Sequence, residues 1–296
     1  MSEELKDNNI KENPSRVYAL FYSFFLIPFM IAIFGALFFF MFQFLTYEKS
    51  TPIDLLDNIQ SGSSTKRWQS AFELSNMLDK SEVYNKELFN NKMIFLYDKS
   101  KYDDSRVRTY LALAMGKTKD SSFGPYLLEG LNEDKDLTNR IAAIQSLGML
   151  QYKESCSILE SIIKNSIHDS EKLAAIISLG VIGDLKYKQI LIDMLDYEEP
   201  NIRWDSAIAL AKMNDDSGIS IIINLLDREY YSLFPSKANG TGVNVDEVDN
   251  SIYIAIAVTQ KLVDDRFKEK LTFLAENDKN IQIREFALKT LTNYYK

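Results

Sequence analysis

Chemistry needs particular residue types at particular spacings, and this chain of 296 residues offers few of them. It has one histidine, His168, and one cysteine, Cys156. His168 stands in IHDSEK, ahead of a helical pattern that Asp169 or Ser170 would cap, a place that suits a loop residue better than a general base. With one Cys and one His, a zinc site would need carboxylates for its other ligands, and no spacing supplies them. Cys156 lies on the apolar stripe of SCSILESII and reads as core; a lone cysteine also excludes an intramolecular disulfide. The segment ANGTG lacks the strand-to-helix context of a phosphate-binding turn. Asp246, Glu247 and Asp249 lack the alternating ligands and central Gly of a calcium loop and read as solvated acids. Asp120, Asp184, Asp215 and Asp264 recur in the turn after the second helix of a repeated unit, where capping accounts for them. No catalytic constellation, cofactor or metal emerges, and no enzymatic activity is expected.

The residues that do recur at fixed spacing are structural. RIAAIQSLGML returns 32 residues later as KLAAIISLGVIGD. In both, a basic anchor (Arg140, Lys172) is followed at +3 by Ala143 or Ala175, at +7 by Leu147 or Leu179, and at +8 by Gly148 or Gly180. The +3, +4 and +7 positions share one helix face. A helical Gly costs roughly 1 kcal/mol relative to Ala, so its return at +8 implies close packing against that backbone. Further copies open at Arg67, Arg108 (with Gly116 at +8), Arg203 and Arg284, and a degenerate one near Tyr253 lacks the anchor. Five of the nine Arg occupy this slot, although Lys is far commoner, as a forked donor bonding to neighbouring turns would require.

Each anchor helix is followed by a second amphipathic segment: PYLLEGL, SILESIIKN, KQILIDML, ISIIINLL, FKEKLTFLA. Two helices per 31 or 32 residues with the pattern basic-x-x-A-A-x-x-L-G resembles the HEAT repeat in its bacterial form. The resemblance implies an all-α chain, a right-handed α-solenoid of about seven helix pairs, and by itself no activity.

Ahead of the repeats, residues 1–16 are polar and charged and read as a disordered tail. Residues 17–47 carry no charge and hold ten of the eighteen Phe. About 20 residues suffice to cross a bilayer, so this stretch reads as one transmembrane helix, with Tyr18, Tyr22 and Tyr47 at the interfaces and a kink at Pro28. Lys6, Lys11 and Arg16 before the span outweigh Lys49 after it, which favours a cytoplasmic N-terminus and a solenoid on the far, periplasmic face of a bacterial inner membrane. Residues 48–52 form the linker, and 53–296 the solenoid.

Two steps break the period. The 41 residues from Arg67 to Arg108 imply a longer helix or a loop. The stretch of about 230–250 contains Pro235, Gly240 and Gly242, which cannot continue a helix. Its rings Tyr230, Tyr231 and Phe234 are candidate partner anchors, or fold back on their own solenoid. At +2 and +6 from each anchor lies the presumed inner face: Gln69 and Glu73, Tyr110 and Ala114, Ala142 and Ser146, Ala174 and Ser178, Asp205 and Ala209. Tyr110 and Glu73 are the candidate contacts there. The net charge of −8 disfavours nucleic acid.

Together these features predict a membrane-anchored, non-enzymatic scaffold that binds a protein partner at the bilayer. The first repeat, RWQSAFEL after a single span, looks like bacterial single-pass HEAT proteins, which implies an accessory or assembly role in a membrane transport complex. The alternative follows from a second resemblance, to the HEAT repeats of phycobilin lyases: an enzyme or chaperone for a tetrapyrrole acceptor protein.

Overall fold

Residues 21–45 of the charge-free run fold as one helix, since their side chains offer the backbone no polar partner but itself. A π-helical turn at Tyr22–Leu26 leads into α1, Ile27–Leu45. The break in the hydrogen-bond ladder that Pro28 imposes is taken up at that turn. Tyr22–Phe42 is 21 residues long with a mean hydropathy of 2.6 and none of it buried. It is long and apolar enough to cross a bilayer, and its phenylalanines cover no core.

In this computed structural model, residues 21–45, 50–78, 85–234 and 245–295 are described. The expected tail 1–16, Tyr18, Tyr47 and residues 48–49 of the linker therefore lie outside the described residues, as does the centre of the insertion. The chain forms two compact units, 1–50 and 51–296.

The second unit is a two-layer stack of helices. Its pairs are α2 (Pro52–Ser61) with α3 (Ser64–Met77), α4 (Lys86–Lys99) with α5 (Ser105–Lys117), and α6 (Gly124–Glu133) with α7 (Leu137–Met149). Then come α8 (Cys156–Asn165) with α9 (Asp169–Ile182), α10 (Lys188–Asp193) with α11 (Pro200–Lys212), α12 (Ile219–Leu225) with α13 (Val245–Thr259), and α14 (Lys268–Asn277) with α15 (Ile281–Tyr294). The odd-numbered members from α3 onward lie side by side and, α13 excepted, carry the basic anchors; the even-numbered companions pack beneath them. This is the expected α-solenoid of seven helix pairs.

Local chemistry sets the boundaries. Thr51 and Asp54 form a capping box, with Pro52 at the first helical position of α2. Asp136 accepts the amides of Thr138 and Asn139 at the start of α7, and Gly183, at φ 72°, ends α9 in the left-handed region. Asp120, Asp184, Asp215 and Asp264 each accept the amide two residues on. They are caps, each in the turn that follows an anchor-layer helix and opens the next pair. Neither Asp169 nor Ser170 caps α9; His168 occupies the cap position without a side-chain bond and is exposed.

The anchor slot works as a fork. Arg108 donates to Tyr97 O at 2.8 Å, Arg140 to Leu131 O at 2.6 Å and Lys172 to Ile163 O at 3.1 Å. Those carbonyls end the companion helices α4, α6 and α8, so each cation fills an orphan acceptor at the negative end of a helix dipole. The other arm reaches forward to the next pair: Arg67 to Asp103, Arg108 to Asp134 and Arg140 to Glu171, each at 2.6 Å, while Lys172 lies over the Tyr197 ring.

The recurring glycines do what their position implied. A Cβ on Gly116 would meet the Ser146 backbone at 2.8 Å, one on Gly148 the Ser178 hydroxyl at 2.6 Å, and one on Gly180 the Ala209 methyl at 2.6 Å. Ser146 donates to Ala112 O and Ser178 to Ile144 O across the same seams. The long step between Arg67 and Arg108 is met partly by α4, four residues longer than the 10 of α6 and α8.

Candidate functional site

Glycine at +8 and a small residue at +6 of the next helix touch each other, so the +2 and +6 positions face backward along the stack. They are not an inner face. Ala114, Ala142, Ser146, Ala174, Ser178 and Ala209 are all buried. Glu73 and Gln69 are exposed because α3 is the first anchor helix, with no earlier one stacked on that side. Tyr110 is half-buried, its ring 5.1 Å edge-on to Phe72.

The open face of the anchor layer lies instead at +1, +5 and +9. It carries Phe72 on α3, Leu113 on α5, Ile141 and Met149 on α7, and Leu173, Ile177 and Val181 on α9; Ile177 is 43% exposed. Gln145 is the polar member among them. The sequence holds the signal: α7 and α9 have apolar residues on two sides, one more than a helix covering a single core requires. Which side was free depended on knowing where the neighbours stack.

Towards the far end of this face, α11 presents Lys212, while Ile208 at +5 is buried and Asp205 at +2 lies where the face meets the backward seam. Asp205 is half-buried, and no hydrogen bond or ion pair reaches it among the described residues. Desolvation raises its carboxyl to about 6, against a weaker opposing pull from Lys212. A carboxylate placed among apolar groups without a partner is costly in isolation.

The insertion turns inward. Tyr230, Tyr231 and Phe234 sit on or beside a 3-10 segment, Arg228–Leu233, and cluster on Trp204 of α11 at ring separations of 6.1, 5.6 and 5.3 Å. Tyr231 is 4% exposed and donates its hydroxyl to Leu225 O at 2.9 Å, and burial pushes that hydroxyl well above its ordinary pKa. It is a core residue and leaves the set of partner contacts; Tyr230 and Phe234 keep part of their edges open. Asp249 is not simply solvated: Arg228 bridges it at 2.6 Å and Asp278 at 2.9 Å, tying the insertion to the last helix pair.

A charged cleft beside α4, α5 and α7 is lined by Lys101, Asp103, Arg108, Glu133, Asp134 and Asn139. Its charges satisfy one another, Lys101 with Glu133 at 2.8 Å and Arg108 with Asp134 at 2.6 Å. Cys156 is fully buried, and desolvation lifts its thiol to about 11, which suits packing and not nucleophilic work.

Comparison with known proteins bears on the fold. Residues 96–180 match the family model described as HEAT repeats. A solved complex of CpcE and CpcF of phycocyanin lyase from Nostoc sp. PCC7120 is similar over 83% of this chain and 88% of that chain, with 18% identity and a TM-score of 0.58. YibA of E. coli is similar over 82% and 93% of the two chains, with 14% identity and a TM-score of 0.44. No curated protein sequence matches the chain. The expectation that the chain is not an enzyme is overturned here: the fold it shares over 83% of its length is that of a lyase, so a solenoid of this kind gives no ground for excluding activity.

Proposed function

We propose that this HEAT-repeat chain binds a partner protein along the open face of its anchor layer, with Phe72, Leu113, Ile177 and Val181 as apolar contacts. One observation carries the reading: an apolar stripe runs across successive helices on the side that neither the companion layer nor the stacking covers. Contiguous exposed apolar surface rimmed by polar residues is the usual mark of a docking site. Asp205 near its far end then has a role, because a cation from the partner would neutralise a carboxylate left unpaired among the described residues. Tyr110 and Glu73 extend the surface past Phe72, and Tyr230 and Phe234 offer their edges beside Trp204.

Likeness to phycocyanin lyase favours a more specific version, in which the partner is a tetrapyrrole acceptor protein and the chain acts on it as a bilin-lyase-like enzyme or chaperone. The N-terminal helix supports placing this work at a membrane. The Lys and Arg bias of residues 1–16 supports a cytoplasmic N-terminus, with the solenoid on the opposite face. An accessory role in a membrane transport complex is the other version of the same binding.

A photo-crosslinker at Ile177 in native membranes tests the common core. One discrete protein adduct is expected, lost when Val181 is changed to Lys; an adduct unaffected by V181K would dispose of the face as a site. Incubation with a bilin and its acceptor separates the versions. Covalent bilin on the acceptor, formed only with the chain present, selects the lyase reading, and its absence leaves binding without that chemistry.

A further inference from the structure

The two ends of the solenoid are finished differently. At the first pair, the backward stacking positions hold Gln69 and Glu73 in place of the buried small residues found in later copies. This is a polar cap of the kind repeat proteins need at a terminus. Helix α15, the last of the described helices, carries no such polar pair on its forward side. Its forward stacking position at +4 from the anchor is Leu288, which is 58% exposed, as is Ile281 one stripe-length earlier. In the five preceding helices that keep the basic anchor, the same slot holds Ala71, Ala112, Ile144, Ile176 and Ala207, each no more than 1% exposed under the next helix.

A second feature repeats the pattern. Arg67, Arg108 and Arg140 each send one arm forward to an acid of the following pair. Arg284 has its backward bond, to Asp278 O at 2.6 Å, and among the described residues no forward acid, a state it shares with Arg203, which bonds only to Tyr197 O and Glu198 O. The last helix thus offers an apolar stripe at the slot that the five preceding anchored helices bury, beside a guanidinium free to take an acid.

We propose that a second copy of this chain fills that place, the two molecules meeting tail to tail through α15. The stripe is self-complementary. When two α15 helices run antiparallel about a two-fold axis between residues 284 and 285, Ile281 faces Leu288 of the other copy and Arg284 faces Glu285. The apolar pair repeats on both sides of the axis, and each guanidinium gains the forward acid it lacks. An isologous contact of this kind closes at two copies. Head-to-tail stacking would instead press Glu73 of one molecule against Thr292 and Leu288 of the next, burying an unpaired charge. The inference does not depend on what the open face of the anchor layer binds.

The test uses the full chain in detergent micelles, with the protein mass measured by light scattering and copies followed by fluorescence transfer between two labelled preparations. Wild type is expected to be dimeric. Ile281→Lys and Leu288→Glu are each expected to dissociate it, raising the dissociation constant about 100-fold, as changes at a buried apolar hot spot do. Both positions are exposed in the single copy, so unchanged far-ultraviolet circular dichroism confirms folding. An equimolar mixture of the two variants is expected to pair again, because the ammonium introduced at position 281 of one then meets the carboxylate introduced at position 288 of the other. A monomeric wild type overturns the proposal. So does a dimer that survives both variants, which would place the contact elsewhere, for example in the apolar N-terminal helix, and so does a mixture that stays monomeric.

Discussion

At the scale of single residues, Gly180 and Asp205 carry opposite lessons. Gly180 is fixed by its neighbour: a methyl there would sit 2.6 Å from the Ala209 side chain. Gly180→Ala gains about 1 kcal/mol of helix propensity but forces the α9–α11 seam apart. A net loss of about 1–3 kcal/mol is expected, read as a lower urea midpoint, whereas Gly35→Ala, with nothing near it, should leave the solenoid's midpoint unmoved. Asp205 has no hydrogen-bond or ion-pair partner among the described residues. Its carboxyl holds a proton up to about pH 6 when folded and to about pH 4 when unfolded, so the folded state binds more protons between those values. Stability contributed by this group therefore falls as pH rises through that window and stays low above it. Asp205→Asn should stabilise the chain by about 1–2 kcal/mol at pH 7.5, since each tenfold change in proton affinity is worth about 1.36 kcal/mol and partial solvent access discounts the sum. At pH 4 the gain should vanish. The same variant should weaken partner capture from Ile177, and a gain in stability with no loss of capture would show that Asp205 has no part in binding.

At the scale of elements, the basic anchors join consecutive helix pairs. Glu171 is 4% exposed and takes Arg140 Nε and the Ser166 hydroxyl, each at 2.6 Å. Arg140→Ala leaves that carboxylate buried without its cation, and a loss of about 3 kcal/mol is expected. Arg140→Lys should cost less, because Lys172 already fills the same slot and reaches Ile163 O; equal losses for both variants would refute the fork. The Arg228–Leu233 segment is held by Trp204 as its hub. Trp204→Ala should cost about 3–5 kcal/mol and speed proteolysis within 230–250, measured by the time course of cleavage. The anchors, the +8 glycines and the pairing of helices were legible in the sequence because each is a tight local requirement repeated at one period. The open face was not. Positions +2 and +5 are both plausible free sides of an isolated helix, and only the direction in which the next helix stacks separates Ser146, which is buried, from Gln145, which is not. The insertion's aromatic rings were ambiguous for a related reason: Trp204, the residue that gathers them, lies 26 positions before Tyr230, and nothing local announces the meeting.

At the scale of the whole molecule, the two units differ in how much apolar surface they bury. The solenoid of 51–296 has continuous cores of its own, from Leu55 to Met213 and from Trp204 to Tyr295. In such an array stability is close to a sum of pairs and their interfaces. The helix of Tyr22–Phe42 has none of its residues buried, so in water it would expose a run of phenylalanines, each worth roughly 1.5–3 kcal/mol when removed from it. A lipid bilayer would supply that burial, which is what the proposed membrane placement requires. The intact chain should therefore stay with membranes through alkaline carbonate and high salt and leave only with detergent. A chain lacking residues 1–50 should be water-soluble, keep its helical circular dichroism and unfold cooperatively. The side on which the solenoid lies can be read with a membrane-impermeant maleimide on Gly240→Cys, because the one native thiol, Cys156, is buried. Labelling of intact cells is expected if the N-terminus is cytoplasmic, and labelling only after the cells are opened would reverse that orientation. Release of the intact chain by alkali alone would remove the span itself, leaving the solenoid and its open face to be explained without a membrane.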